Sequence, residues 1–81
     1  MSKHPISLTP VDSSNIRAIG WDSTTKTLAV QFKSGGTYHY PGVDAKLHQQ
    51  LMAAPSVGGF FASHLRQRKD FADATHLYRK S

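Results

Sequence analysis

Residues 27–40 read TLAVQFKSGGTYHY, and the alternation on either side of the two glycines decides the architecture. Successive side chains of an extended strand point to opposite faces. Leu28, Val30 and Phe32 therefore share one face, and Ala29 and Gln31 take the other. Gly35 and Gly36 tolerate the positive φ that a tight antiparallel turn needs. Tyr38 and Tyr40 also share a face, and Pro41, with no N–H to give a ladder, stops their strand. The turn length sets where the two rings go. A three-residue loop, 34–36, with Gly36 left-handed, places Phe32 opposite Tyr38 and Val30 opposite Tyr40, so both rings join the apolar face. A loop of two or four residues turns them to the face of Gln31, as a platform on which bases stack. Burial is favoured, because Leu28, Val30 and Phe32 need partners and so short a chain has few rings to leave in water.

Upstream, SSNIRAIGWD (13–22) predicts a strand with Ile16, Ile19 and Trp21 as its apolar content. Its alternation is imperfect, and Gly20 marks a bulge or a close backbone approach. DSTTKT (22–27) joins it to the next strand as a turn. Residues 1–13 read as an extended arm, since Pro5 and Pro10 forbid a regular helix, and 14–81 as one domain. Downstream the period changes. VDAKLHQQLMAA (43–54) repeats Val43, Leu47 and Leu51 on one helical face, with Asp44 at the positive helix end and Pro55 as the stop. Ser56 is placed to cap a second helix, VGGFFASHLRQRKD (57–70), that Gly58 and Gly59 delay toward Phe60. Phe61 and Leu65 face inward, with Phe60 a further candidate, and Arg66, Arg68 and Lys69 face outward. THLYR (75–79) closes as a strand, giving an α+β fold: a small antiparallel sheet in the order β-β-β-α-α-β with two helices on one face.

Composition narrows the function. Eighty-one residues make one domain, and without cysteine there is no disulfide, zinc ribbon or thiol chemistry to support it. The eight aromatic rings must hold the fold by packing. No apolar leader opens the chain and no run approaches a membrane span, so a cytoplasmic protein with no membrane partner is expected. Ten Lys and Arg against five Asp give a formal charge of +5, which favours polyanionic partners. Five of the ten lie in the last sixteen positions: Arg66, Arg68, Lys69, Arg79 and Lys80 form one phosphate-binding patch if the helix end and the last strand adjoin. The five histidines lack metal-ligand spacing, the aspartates sit at turns and helix ends, and 33–36 is no phosphate loop. No catalytic residue, metal or cofactor is expected.

Four stretches in order, SSNIRAIGWD, TKTLAVQFKSGGTYHYPGV, GGFFASHLRQR and YRK, resemble the KTSC domain, a short module named for the carboxyl-terminal extension of some lysyl-tRNA synthetases and also found alone in bacteria and phages. The central Tyr38-His39-Tyr40 behind its Ser-Gly-Gly turn carries most of the likeness, and residues 67–80 depart from it by carrying extra positions. The resemblance implies a small α+β domain with a suggested role in RNA binding. Together with charge and rings, it makes a non-catalytic nucleic-acid-binding module the leading expectation, for RNA or single strands. Its site residues are Tyr38, Tyr40, Arg66, Arg68, Lys69, Arg79 and Lys80. A protein-interaction module of phage type acting on a host factor is the alternative, and capture of a small nucleotide the third.

Overall fold

A computed structural model describes residues 6–65 and 67–78. Arg66, Arg79 and Lys80 lie outside the described residues. Five antiparallel strands form one sheet in sequential order: β1 (Thr9–Pro10), β2 (Ile16–Asp22), β3 (Thr27–Phe32), β4 (Thr37–Tyr40) and β5 (Ala72–Asp73). Helices α1 (Ala45–Ala53) and α2 (Val57–His64) lie between β4 and β5, and a short 3-10 helix, Thr75–Tyr78, follows. The α+β architecture, with two helices on one face, is the one expected.

The broken alternation of β2 has a simple cause. Ile16 pairs with Phe32 but Ala18 pairs with Gln31, so Arg17 is an extra, bulged residue. The bulge returns Ile16 to the face of Ile19 and Trp21, and all three then meet Phe32, Val30 and Leu28 across the ladder. Gly20 is not the bulge. A Cβ there would overlap the Ser7 carbonyl oxygen, so Gly20 is the close backbone approach. Within the stretch read as an arm, β1 pairs Thr9 with Ile19 and Pro10 with Ala18, and Val11 N–H adds a 3.1 Å bond to the Arg17 carbonyl.

The helical face holds the core: Ile16, Ile19, Leu28, Val30, Tyr40, Val43, Leu51, Phe61 and Leu65. Asp44 caps α1 by accepting from Leu47 N–H at 2.9 Å, and Ser56 caps α2 by accepting from Gly59 N–H at 3.1 Å. The second helix begins at Val57 despite its glycines. A Cβ on Gly58 would stand 2.8 Å from both Asn15 Oδ1 and Ser13 Oγ, so the glycine lets α2 settle against the start of β2. It also ends early, at His64 rather than Asp70. Leu65 is wholly buried at the C-cap and Arg68 N–H turns back to its carbonyl, so burial overrides the helix propensity of Gln67, Arg68 and Lys69.

Two further expectations are corrected. The last strand is Ala72–Asp73, and the described part of THLYR is helical. Thr75 is captured by Thr37: its Oγ1 accepts the Thr37 N–H at 3.0 Å and donates to the Thr37 carbonyl at 3.3 Å, while Asp73 Oδ1 takes the Thr75 N–H at 2.9 Å. The chain must turn there. In the central hairpin, Val30 faces Tyr38 and Leu28 faces Tyr40, two residues from the expected pairing. The loop has three residues as expected, but they are 33–35, and Gly35 holds the positive φ, +115°.

The other sheet face is built from small residues: Ala18 and Ala29 are buried and Gly20 has no side chain. Ile6 and Ser7 cross over Gly20, and Ile6 N–H donates to the Tyr78 hydroxyl at 2.8 Å. The sheet is thus covered on both sides, by helices in front and by the amino-terminal segment and 3-10 turn behind. Among the described residues, no helix is long and apolar enough to cross a membrane.

Candidate functional site

A shift of register by two leaves parity unchanged, so Tyr38 and Tyr40 stand on the core face with Val30 and Leu28. They do not form a bare platform. Tyr40 is 5% exposed and belongs to the core, while Tyr38 is half-buried. Its ring lies over Gly36, where a Cβ would come within 2.9 Å of it, so the second glycine of the turn serves as a seat for that ring.

The tyrosines belong to a continuous aromatic cluster. Tyr38 meets Phe32 edge-on at 6.0 Å between centroids and Phe71 at 5.6 Å, close to perpendicular. Tyr40 touches Phe61 at 5.4 Å and Phe71 at 5.3 Å, and Phe32 meets Phe61 at 5.5 Å. All but the tilted Tyr40–Phe71 pair are edge-to-face contacts, which bring the positive ring edge onto a negative ring face. Burial, with the neighbouring Tyr38 adding to it, pushes the Tyr40 hydroxyl above its usual pKa.

A cleft of about 350 Å³ opens among these rings. Among the described residues its walls are Asn15, Phe32, Tyr40, Phe61, Ala62 and Phe71. Phe61 and Phe71 both rest on the nearly buried Tyr40, which makes Tyr40 the floor, and Phe71, 42% exposed, is the lip. The backbone holds the opposite rim: Lys33 N–H donates to the Asn15 carbonyl at 2.9 Å, fixing the hairpin turn beside the start of β2.

Of the expected cations, Arg68 and Lys69 fall in the loop after α2, not on it. Arg68 is committed. Its guanidinium binds both oxygens of Asp70, at 3.3 and 3.0 Å, and reaches the Pro41 carbonyl at 2.7 Å. That fork ties the loop to the residue after Tyr40, and it holds the Asp70 carboxyl below its usual pKa. Lys69 is exposed. The structure therefore brings together Tyr38, Tyr40 and the loop of Arg68 and Lys69. Sequence reasoning did not single out Phe71 or Asn15. The available signal for Phe71 was a lone ring amid QRKD and ADA, which has to pack somewhere.

Behind the sheet, His39 faces away from the tyrosines, as alternation requires, and its Nε2 lies 2.8 Å from the Tyr78 hydroxyl. Burial, with His76 nearby adding to it, lowers the His39 pKa. Among the described residues, no three His, Asp or other metal-ligating side chains converge.

The comparisons with known proteins agree with this layout. The chain is 36% identical to a KTSC domain protein of Yersinia pestis whose crystal structure superposes with a TM-score of 0.80, covering 85% of this chain and 97% of that one. It is 39% identical over 59 residues to a protein of Tsukamurella paurometabola, covering 73% of this chain and 88% of the relative. It is also 34% identical over 55 residues to a lysine–tRNA ligase of Trichormus variabilis, a stretch that makes up 68% of this chain and 10% of the ligase. The KTSC domain model matches residues 12–69, from just before the Ser13 and Asn15 turn to the loop of Arg68 and Lys69, and the chain belongs to the KTSC domain family.

Proposed function

We propose that this protein is a non-catalytic module that binds single-stranded nucleic acid, RNA foremost. The observation that carries this reading is the aromatic cleft with an exposed Phe71 lip, on a chain of formal charge +5. Single strands are held by rings against which unstacked bases lie and by cations that follow the phosphates. Tyr38 presents the exposed part of its ring, and Tyr40 acts from below by fixing Phe61 and Phe71. Lys69, together with Arg66, Arg79 and Lys80 from the sequence, supplies phosphate contacts, while Arg68 sets the loop that carries Lys69. The shared segment in a lysine–tRNA ligase, an enzyme that handles RNA, supports the choice of nucleic acid.

The test is binding of labelled single-stranded RNA across a salt series. Affinity is expected to fall with rising salt, with a log–log slope of about −0.7 per phosphate contact. A flat profile, or no binding, overturns the reading. The cleft also has the volume of a small-molecule site, roughly 300–1,000 Å³. Calorimetry with mononucleotides asks whether a free nucleotide suffices.

A further inference from the structure

We infer that the cleft walled by Phe32, Phe61 and Phe71 over Tyr40 receives one unstacked nucleobase, with Asn15 reading its edge; this rests on the proposed single-strand binding and names a site for it. Four features argue for a base. Three of the walls are aromatic rings and the floor is a fourth, nearly buried one, so a flat heterocycle meets ring faces and edges. The lip, Phe71, keeps 42% of its surface in water although Tyr38 and Tyr40 hold it in place, so it is pre-positioned and still able to cover an incoming ring.

Polarity is supplied at one point of the rim. Ser13 donates to Asn15 Oδ1 at 3.1 Å, and the same oxygen faces Gly58 of α2. The amide nitrogen is thereby turned away from them, and its N–H groups are the donors that an acceptor on a base edge pairs with. Charge completes the match. Lys33 is anchored next to Asn15 by its own N–H, and Lys69 precedes Phe71 by two residues, so two exposed lysines of a +5 chain sit on segments that border the cleft. A polyanion is drawn to that mouth, and a base is the part of it that fits the rings.

The experiment compares, with the full chain, a labelled single-stranded oligonucleotide and an abasic strand carrying the same number of phosphates. The base-bearing strand is expected to bind more tightly. Phe71→Ala is expected to weaken it by about 5- to 150-fold, the range for loss of one stacked base. Phe71→Trp is expected to preserve binding, and neither variant to change the abasic strand. Phe71→Leu keeps apolar bulk without the ring, so it reports the same loss should the alanine variant fold poorly. Equal affinity for the two strands overturns the base site and leaves phosphate binding standing. Equal weakening of both strands by Phe71→Leu assigns Phe71 a packing role and also overturns it. Absence of binding to either strand overturns the site and the proposed function together.

Discussion

Gly20 is where two layers of the molecule touch through their backbones. The Ser7 carbonyl and the Ile6 side chain occupy the space a Cβ would need. Gly20→Ala is therefore expected to lift the amino-terminal segment from the sheet at a cost of about 1–3 kcal/mol, the usual range for overpacking. A lowered urea midpoint and faster proteolysis around residues 6–10 would report it, and an unchanged midpoint would sink the argument. His39 lies in the same layer. Its pKa is lowered by burial first and by His76 second. A histidine depressed in the folded state contributes stability that is present above the unfolded value near 6.5 and is lost as pH falls through the folded value. His48, depressed by burial, acts in the same sense. The urea midpoint is expected to drop between about pH 7.5 and about pH 5.5, with a shallower drop in His39→Gln. An identical pH profile in that variant would show that His39 contributes nothing. Single residues were also where the sequence was hardest to read. Gly35 and Gly36 are equally able to adopt positive φ, so composition alone did not reveal that the first takes it and the second seats Tyr38.

Strands and helices were more legible, for a physical reason. β3 and β4 each show their two faces in the order of residues, and a slide of two positions preserves which side chains go inward. Hence the burial of Tyr40 followed from alternation even though its partner was misassigned. α1 was readable from its apolar spacing and from Asp44. The tail was not. THLYR has strand-forming residues, but a threonine hydroxyl clasped by Thr37 decides its path, and that contact spans 38 positions. The end of α2 was hidden likewise, because the buried Leu65 and the Arg68 fork to Pro41 act against local propensity. The start of α2 offers a measurable check. Ser56→Ala removes the acceptor for Gly59 N–H and is expected to cost about 1 kcal/mol, in a range of roughly 0.5–2. Amide exchange at Gly59 should quicken with it. Unaltered exchange would mean that packing of Gly58 on Asn15, rather than the cap, holds this end.

In the molecule as a whole, the sheet works as a partition. Large apolar side chains and rings crowd its front, while Ala18, Gly20 and Ala29 leave its back thin enough for a bare segment of chain to lie flat. The aromatic cleft opens among the front-face rings, across the sheet from the Gly20 layer. Changes to the rear layer, such as Gly20→Ala, are therefore expected to alter stability while leaving the proposed nucleic-acid affinity within about twofold under conditions where the protein stays folded. A parallel loss of affinity would show the two sides to be coupled. That rear layer has one more consequence. Ile6 and Tyr78 are 72 positions apart, yet they share a 2.8 Å hydrogen bond. The Tyr78 side chain thus ties the last described turn to the first described residue. A short linker from Ile6 to Tyr78, with new ends opened in the exposed turn between Thr24 and Thr25, should give a circular permutant that still unfolds cooperatively. A unit fastened at its own doorway also needs only a narrow stalk, so it can be spliced into a surface loop of a larger enzyme without prising that loop apart.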